Sequence, residues 1–319
     1  GTMMFGDQTP QGEAADIVAH AHAHGVNFMD TADVYTQGAS EEMLGRILQS
    51  ARHDWVLATK VGNRMSERVN HSHYARSWML AEVDHSLRRL QTDYIDIYYL
   101  HRDYEGLDLE EPLRALDAML RAGKIRYWGL SNFRGWRIAE ACHIAARLNM
   151  PGPAVCQPYY NLLNRAPEVE ILPACRHHGI GVVPYSPIAR GILSGKYAPG
   201  AAPTAQSRVG RGDRRVLETE FREESLRIAQ QLQTHAQAHG ITLAQFATAW
   251  VLHSRAVSSV IAGPRTLAQW QDYLPAAEVR LSKEDEALVD SLVPAGHPST
   301  PGYSDPAYPV TGRQSVALG

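Results

Sequence analysis

The chain has 319 residues, 44% of them hydrophobic and 20% charged, with a net charge of −3 and a pI of about 6.6. That is the composition of a globular protein, long enough for one large domain or two small ones. It excludes bulk attraction to nucleic acid or an anionic membrane, and no apolar run approaches the roughly 20 residues of a membrane span. Cys142, Cys156 and Cys175 are few, odd in number and without metal spacing. They read as reduced core thiols in a reducing compartment, consistent with the cytoplasm.

Strand-like runs alternate with helical ones along the whole chain. Thr2–Phe5 precedes the helix Gly12–His24, and Val26–Met29 precedes Glu41–Gln49, for which Ser40 reads as the N-cap. Trp55–Thr59 leads through a polar loop, Asn63–His73, to the helix Tyr74–Leu90. Tyr94–Leu100 precedes Glu110–Arg121, Ile125–Leu130 precedes Trp136–Leu148, and Ala154–Cys156 precedes Pro167–His178. Gly181–Pro184 opens a long Gly-, Ala-, Pro- and Arg-rich segment, Ile188–Leu217, before the helices Glu223–His239 and Leu243–His253. The last strand, Ser258–Ala262, leads into Leu267–Leu274. Gly25, Gly123, Gly179 and Gly240 stand where a left-handed residue ends a helix.

Eight strand–helix repeats without a change of composition predict an α/β fold, a (β/α)8 TIM barrel, as a single domain over residues 1–319. An extra C-terminal helix, Leu281–Leu292 with Ser282 as N-cap, and an extended or disordered tail over 293–319 complete it. The rival is an open doubly wound sheet, but its G-x-G-x-x-G fingerprint is missing, as is a P-loop. The alternating His20, His22 and His24, like His177 and His178, read as polar helix faces near a C-terminus, so no metal is expected.

The strand ends carry the chemistry. They are Asp30, Lys60, His101, Ser131-Asn132, Gln157, Tyr185-Ser186 and Gly263-Pro264-Arg265. In a parallel barrel all of these open on one face, where barrel enzymes place their sites. One polar residue at a strand end is ordinary; seven such ends in succession are not explained as turns.

These segments, FMDTADVYTQGASEEMLG, WVLATKVG, IDIYYLHRD, GKIRYWGLSNF, CQPYYNLLNR, VVPYSPIARGILSGKY and IAGPRTLAQWQD, resemble the aldo-keto reductases, including the branch of the potassium-channel β-subunits. The resemblance runs from Thr2 to about Leu292. It implies a nicotinamide cofactor, taken as NADPH, bound without a Rossmann domain. It maps a catalytic tetrad onto Asp30, Tyr35, Lys60 and His101. The residue types suit the reaction. Hydride addition to a carbonyl builds an alkoxide that needs a proton, and an ammonium such as that of Lys60 favours phenolate and lowers a neighbouring phenol's pKa. Asp30 holds Lys60, Tyr35 is the general acid, and His101 bonds the substrate oxygen.

By the same resemblance Ser131, Asn132 and Gln157 hold the nicotinamide carboxamide, and Tyr185 stacks on the ring. Ser186, Pro187, Gly191, Leu193, Gly195 and Lys196 follow the pyrophosphate. Gly263, Arg265, Thr266, Gln269 and Asp272 match the adenosine end. Pro264 and Tyr273 depart from the usual pattern there. The function implied is reduction of an aldehyde or ketone to an alcohol. The alternatives are an NAD(P)-dependent sugar or alcohol dehydrogenase, or a nucleotide-sensing binding module like a channel β-subunit. The partner is a small carbonyl compound. Pocket walls from Met4, Phe5, Asn63–Met65, Tyr104, Phe133, Tyr159 and the tail suggest a hydrophobic or aryl aldehyde; the oligomeric state is not legible.

Overall fold

A computed structural model describes residues 1–310; the end of the predicted tail, 311–319, lies outside the described residues. Six strands form one parallel sheet in sequence order: β1 (Phe28–Asp30), β2 (Val56–Val61), β3 (Ile95–Leu100), β4 (Ile125–Ser131), β5 (Val155–Gln157) and β6 (Gly181–Val182). Eleven α-helices accompany them among the described residues. These are α1 (Gln11–Ala23), α2 (Ala39–Leu48), α3 (Arg76–Leu90), α4 (Glu110–Arg121), α5 (Gly135–Arg147), α6 (Ile171–His178), α7 (Arg214–Thr219), α8 (Glu223–Ala238), α9 (Leu243–Leu252), α10 (Leu267–Tyr273) and α11 (Lys283–Leu292).

The first and last predicted strands are not strands. Residues after Thr2 turn back, because the Met4 carbonyl accepts the amides of Asp7, Gln8 and Thr9. Ser258–Ala262 is reduced to single parallel bridges, with Val257 against Val182 and Ile261 against Tyr185. Pro184, lacking an N–H, limits ladder pairing beside it. The backbone still links the two sheet edges: the Gly1 amine donates to Ala262 O at 2.8 Å, and Thr2 N donates to Asp30 O at 2.9 Å.

Side chains alternate across the strands, as a period of two requires. Leu57, Tyr98, Cys156 and Val182 join the large core that runs from Phe5 to Val293. Their neighbours Ala58, Tyr99, Val155 and Val183 pack with Ile261 in a second, small cluster. The register aligns the strand ends: Asp30 lies opposite Ala58, Val61 opposite Leu100, and Ser131 opposite Gln157. Polar residues that follow apolar strands therefore emerge together.

Ser282 caps α11 in a capping box with Asp285, as predicted. Ser40 does not cap α2. Gly38, at φ 94°, precedes that helix, and the buried Ser40 Oγ donates to Thr2 O at 2.9 Å and lies 3.0 Å from Thr31 Oγ1. The hydroxyl ties the chain start to the loop after β1 instead of ending a helix.

The tail is also not free. Arg165 N donates to His297 O at 3.0 Å and Ser299 N to Leu163 O at 2.9 Å. Arg222 holds Thr300 at 2.7 Å and Ser299 at 3.1 Å, and Arg215 Nη1 meets Asp305 Oδ1 at 2.8 Å. A composition rich in Pro and Gly without periodicity signals irregular backbone, not absence of partners.

Behind the strand ends lies a buried charge cluster. Arg89 of α3 donates to Glu41 of α2 at 2.6 Å and pairs with Glu82, and both carboxylates are buried. Glu41 also accepts from Thr59 Oγ1 at 2.6 Å, one residue before Lys60. Removing one partner of a buried ion pair strands the other charge and costs about 3–5 kcal/mol. Arg89→Met is thus expected to lower unfolding free energy by about that much in urea titration; a loss under about 1 kcal/mol would show the cluster to be well solvated.

Candidate active site

The sheet delivers Asp30, Lys60, His101 and Ser131 to one end, and the loop after β1 adds Tyr35. Lys60 is fully buried and Asp30 nearly so. Lys60 Nζ donates to Asp30 Oδ1 at 2.6 Å, to Thr31 O at 2.7 Å and to Tyr35 OH at 3.4 Å. Two charges removed from water are tolerated only with good geometry and further hydrogen bonds. Gln157 Nε2 supplies one, donating to Asp30 Oδ2 at 2.8 Å. The ring of His101 stands edge-on to that of Tyr35, centroids 6.1 Å apart. All four predicted tetrad residues thus meet; Asp30, Tyr35 and His101 face a cavity of about 690 Å³.

A second chain of contacts crosses the sheet. Ser131 Oγ donates to Gln157 O at 3.0 Å. Asn132 Nδ2 donates to His101 O at 3.0 Å, and Asn132 Oδ1 accepts from Tyr185 OH at 2.8 Å. Asn132 and Ser186 sit at φ 60° and 55°, left-handed conformations uncommon outside glycine and asparagine. Such strain is kept where surrounding contacts over-determine it.

The remaining predicted residues divide. Ser186, Pro187, Gly191, Lys196, Gly263, Arg265, Gln269 and Asp272 line the same cavity. Gly191 has φ 103°, and a Cβ there would fall 2.9 Å from Lys196 Nζ, so its bareness leaves room for that ammonium. Leu193 is instead buried in the core. Gly195 lies against Gln233 with φ 77°, and Thr266 caps α10 by accepting from Gln269 N. None of these three is on the cavity wall. Asp272 Oδ1 accepts from Thr242 Oγ1 at 3.1 Å and is held by the start of α9.

The expected substrate walls change most. Met4 and Asn63 line the cavity, but Phe5 and Phe133 are buried in the core, and Arg64, Met65, Tyr104 and Tyr159 are not on the wall. Arg102, Arg190, Arg208 and Arg215 are, with Ala307 and Tyr308 of the tail. Their cationic side chains make the wall more basic than the expected residues would. Arg102 could have been noticed as the neighbour of His101; the others reach the cavity only through tertiary contacts.

The sequence model of the Aldo/keto reductase family matches residues 1–294. The chain belongs to the aldo/keto reductase family. It is 36% identical over 281 residues to a probable voltage-gated potassium channel subunit β of Arabidopsis thaliana, covering 86% of this chain and 85% of that one. It is 33% identical to the rice protein of the same name, over 94% of this chain and 93% of that one. An uncharacterized oxidoreductase of Bacillus subtilis, YrpG, is 32% identical over 94% of this chain and 93% of its own. The family is one of (β/α)8 barrels, and membership makes this chain an NAD(P)H-dependent oxidoreductase acting on small carbonyl substrates. Among the described residues no helix is long and apolar enough to cross a membrane.

The residues predicted as a tetrad differ in what their surroundings do to protonation. Burial drives the Tyr35 phenol above its ordinary pKa, and the Lys60 charge offsets only part of that. The expected net depression by Lys60 is therefore reversed: loss of water around phenolate outweighs one ammonium at 3.4 Å. Burial pulls Lys60 down, but Asp30 and Tyr35 together raise it above its ordinary value. Burial, with the charges of Lys60 and Arg102, holds His101 well below the ordinary imidazole range.

The signs have a kinetic consequence. His101 stays neutral above the ordinary imidazole value of 6.5, and Tyr35 stays protonated below the ordinary phenol value of 10.0. The kcat/KM for reduction, corrected for cofactor affinity, is expected to be flat between those limits. A profile that rises on protonation of a group near neutrality would show instead that imidazolium is the acid.

Proposed function

We propose that this chain is an NADPH-dependent reductase that converts an aldehyde or ketone to an alcohol, with Tyr35 as general acid, on a single closed (β/α)8 domain. The supporting observation is that one buried ammonium, Lys60 Nζ, contacts both Asp30 Oδ1 at 2.6 Å and Tyr35 OH at 3.4 Å. The hydrogen bonds from Gly1 and Thr2 to the flanking segments support closure of the barrel.

The residues fit a dinucleotide. Lys196 is pulled below its ordinary pKa by burial and then by the charges of Arg265, Arg208 and Arg211. Cations crowded into one part of a cleft, against their own repulsion, are what an anionic ligand relieves. Lys196 and Arg208 would meet the pyrophosphate and Arg265 the 2′-phosphate. Ser131, Asn132 and Gln157 would bond the carboxamide, with Tyr185 against the ring. When bound, the cofactor supplies the hydride to the carbonyl carbon.

The chain's own groups then handle the proton. Tyr35 OH donates it to the carbonyl oxygen as negative charge develops there. Lys60 stabilises the resulting phenolate, and Asp30 keeps Lys60 charged and oriented. Neutral His101 hydrogen-bonds the oxygen and fixes which lone pair faces Tyr35. A raised Tyr35 pKa keeps the acid loaded in the free protein. Tyr35→Phe is expected to cut carbonyl reduction by roughly 10²–10⁴-fold with NADPH binding retained; near-normal turnover would remove Tyr35 from the chemistry.

Cofactor choice follows from Arg265, which is paired with no carboxylate among the described residues and reaches only Gln8 Oε1 at 3.3 Å. A guanidinium meets a phosphate with charge-assisted bonds that a neutral side chain lacks. Arg265→Ala is expected to weaken NADPH binding roughly tenfold to a hundredfold and NADH binding little. Titration of both cofactors checks this, and equal losses would show that Arg265 does not read the 2′-phosphate.

A further inference from the structure

Arg102 is placed as a binding group but pairs with no carboxylate among the described residues. It follows His101 directly at the end of β3 and faces the same cavity as Tyr35 and His101. Its backbone is clamped by one buried phenol: Tyr74 OH donates to Arg102 O at 2.6 Å and accepts from Arg102 N at 2.9 Å. Its guanidinium lies over two aromatic rings, 5.3 Å from the Tyr104 centroid and 5.4 Å from the Tyr308 centroid. Tyr104 is itself pinned by donation to Gly62 O at 2.7 Å.

The hydrogen-bonding capacity of Arg102 is nearly unused. Among the described residues its one side-chain bond is from Nη2 to Ala307 O at 3.4 Å, and Nε is buried without a partner there. No carboxylate among the described residues lies within ion-pairing distance: Asp103 is taken by Arg134 and Arg137, and Asp305 by Arg215. A buried donor left unmade is costly, and a guanidinium presents several donors in a fixed fork that matches carboxylate and phosphate. The cations assigned to the cofactor phosphates come from elsewhere: Lys196 and Arg208 from the segment between β6 and α7, and Arg265 from the segment before α10. Arg102 adjoins the histidine that would hold the reacting oxygen. Asn63, which lines the same cavity, offers a neutral amide.

We infer that Arg102 is a specificity residue that binds an anionic group on the substrate, so that the preferred carbonyl compounds carry a carboxylate or phosphate. This rests on the reductase reading above and adds an anionic group to the expected hydrophobic or aryl aldehyde. The Tyr104 and Tyr308 rings hold the guanidinium in place before the substrate arrives, which reduces the entropy lost on binding.

Initial rates at saturating NADPH test it with two matched pairs: 4-carboxybenzaldehyde beside its methyl ester, and glyceraldehyde 3-phosphate beside glyceraldehyde. In the wild type the anionic member of one pair or both is expected to have a kcat/KM roughly tenfold to a hundredfold higher, and the pair that responds identifies the anion. In Arg102→Met that ratio should fall toward one, mainly through KM. Arg102→Lys, which keeps the charge and loses the fork, should give an intermediate ratio. The NADPH dissociation constant of Arg102→Met should match the wild type. Turnover of the neutral members without any preference for the anions overturns the subsite and leaves the reductase reading standing. Failure to turn over all four by a protein that binds NADPH removes both. A loss of NADPH affinity in Arg102→Met would make Arg102 a cofactor contact and overturn the assignment. Should Arg102→Met not fold, the wild-type ratio and the lysine variant still decide it.

Discussion

The buried ion pair between Lys60 and Asp30 is the constraint on which the site depends. Neither charge is affordable alone at zero and 2% exposure. Together, with Thr31 O and Gln157 Nε2 completing their bonds, they hold an ammonium at a fixed point beneath the Tyr35 phenol. The arrangement uses three separate parts of the chain, and the parallel register of β1 and β2 brings them together. A one-residue slip of β2 would turn Lys60 to the opposite face and leave Asp30 unpaired.

The supports of that pair reach outward. Thr59, the residue before Lys60, bonds Glu41; Glu41 bonds Arg89; and Arg89 bonds Glu82. Two helices and a strand are thus joined by charged groups in a region from which water is excluded. Such a network is stabilising only while complete. Its effect on chemistry is indirect: it holds the backbone from which Lys60 projects.

The cavity has a polarity of its own. The end proposed for the cofactor gathers Lys196, Arg208 and Arg265, while the end proposed for the substrate presents Arg102 beside a neutral His101. The tail contributes to the second end. Tyr308 flanks the Arg102 guanidinium, and Asp305 neutralises Arg215, so the tail both shapes the wall and subtracts one positive charge from it. Aldo/keto reductases share one scaffold and vary their loops, and this chain's loops bring several cations to the mouth.

Periodicity, glycine punctuation and the series of polar strand ends were legible in the one-dimensional chain, because parallel strands place their C-terminal ends on one face whatever the loops do. That rule located Asp30, Lys60 and His101 together, and motif likeness added Tyr35. The short pairing of residues near Thr2 and Ile261 was not legible: apolar runs look the same whether they form a ladder or a single bridge. Neither were the roles of Ser40 and Glu41, whose local positions suit helix capping and dipole pairing but whose actual partners, Thr2 and Arg89, are 38 and 48 residues away. The direction of the Tyr35 shift needed burial as well as charge. Arg102 stood in plain view next to His101, yet whether an arginine is paired or free is a fact about every carboxylate that could reach it. Composition counts charges; only the tertiary structure, by pairing Asp103 with Arg134 and Arg137 and Asp305 with Arg215, leaves Arg102 without a carboxylate among the described residues.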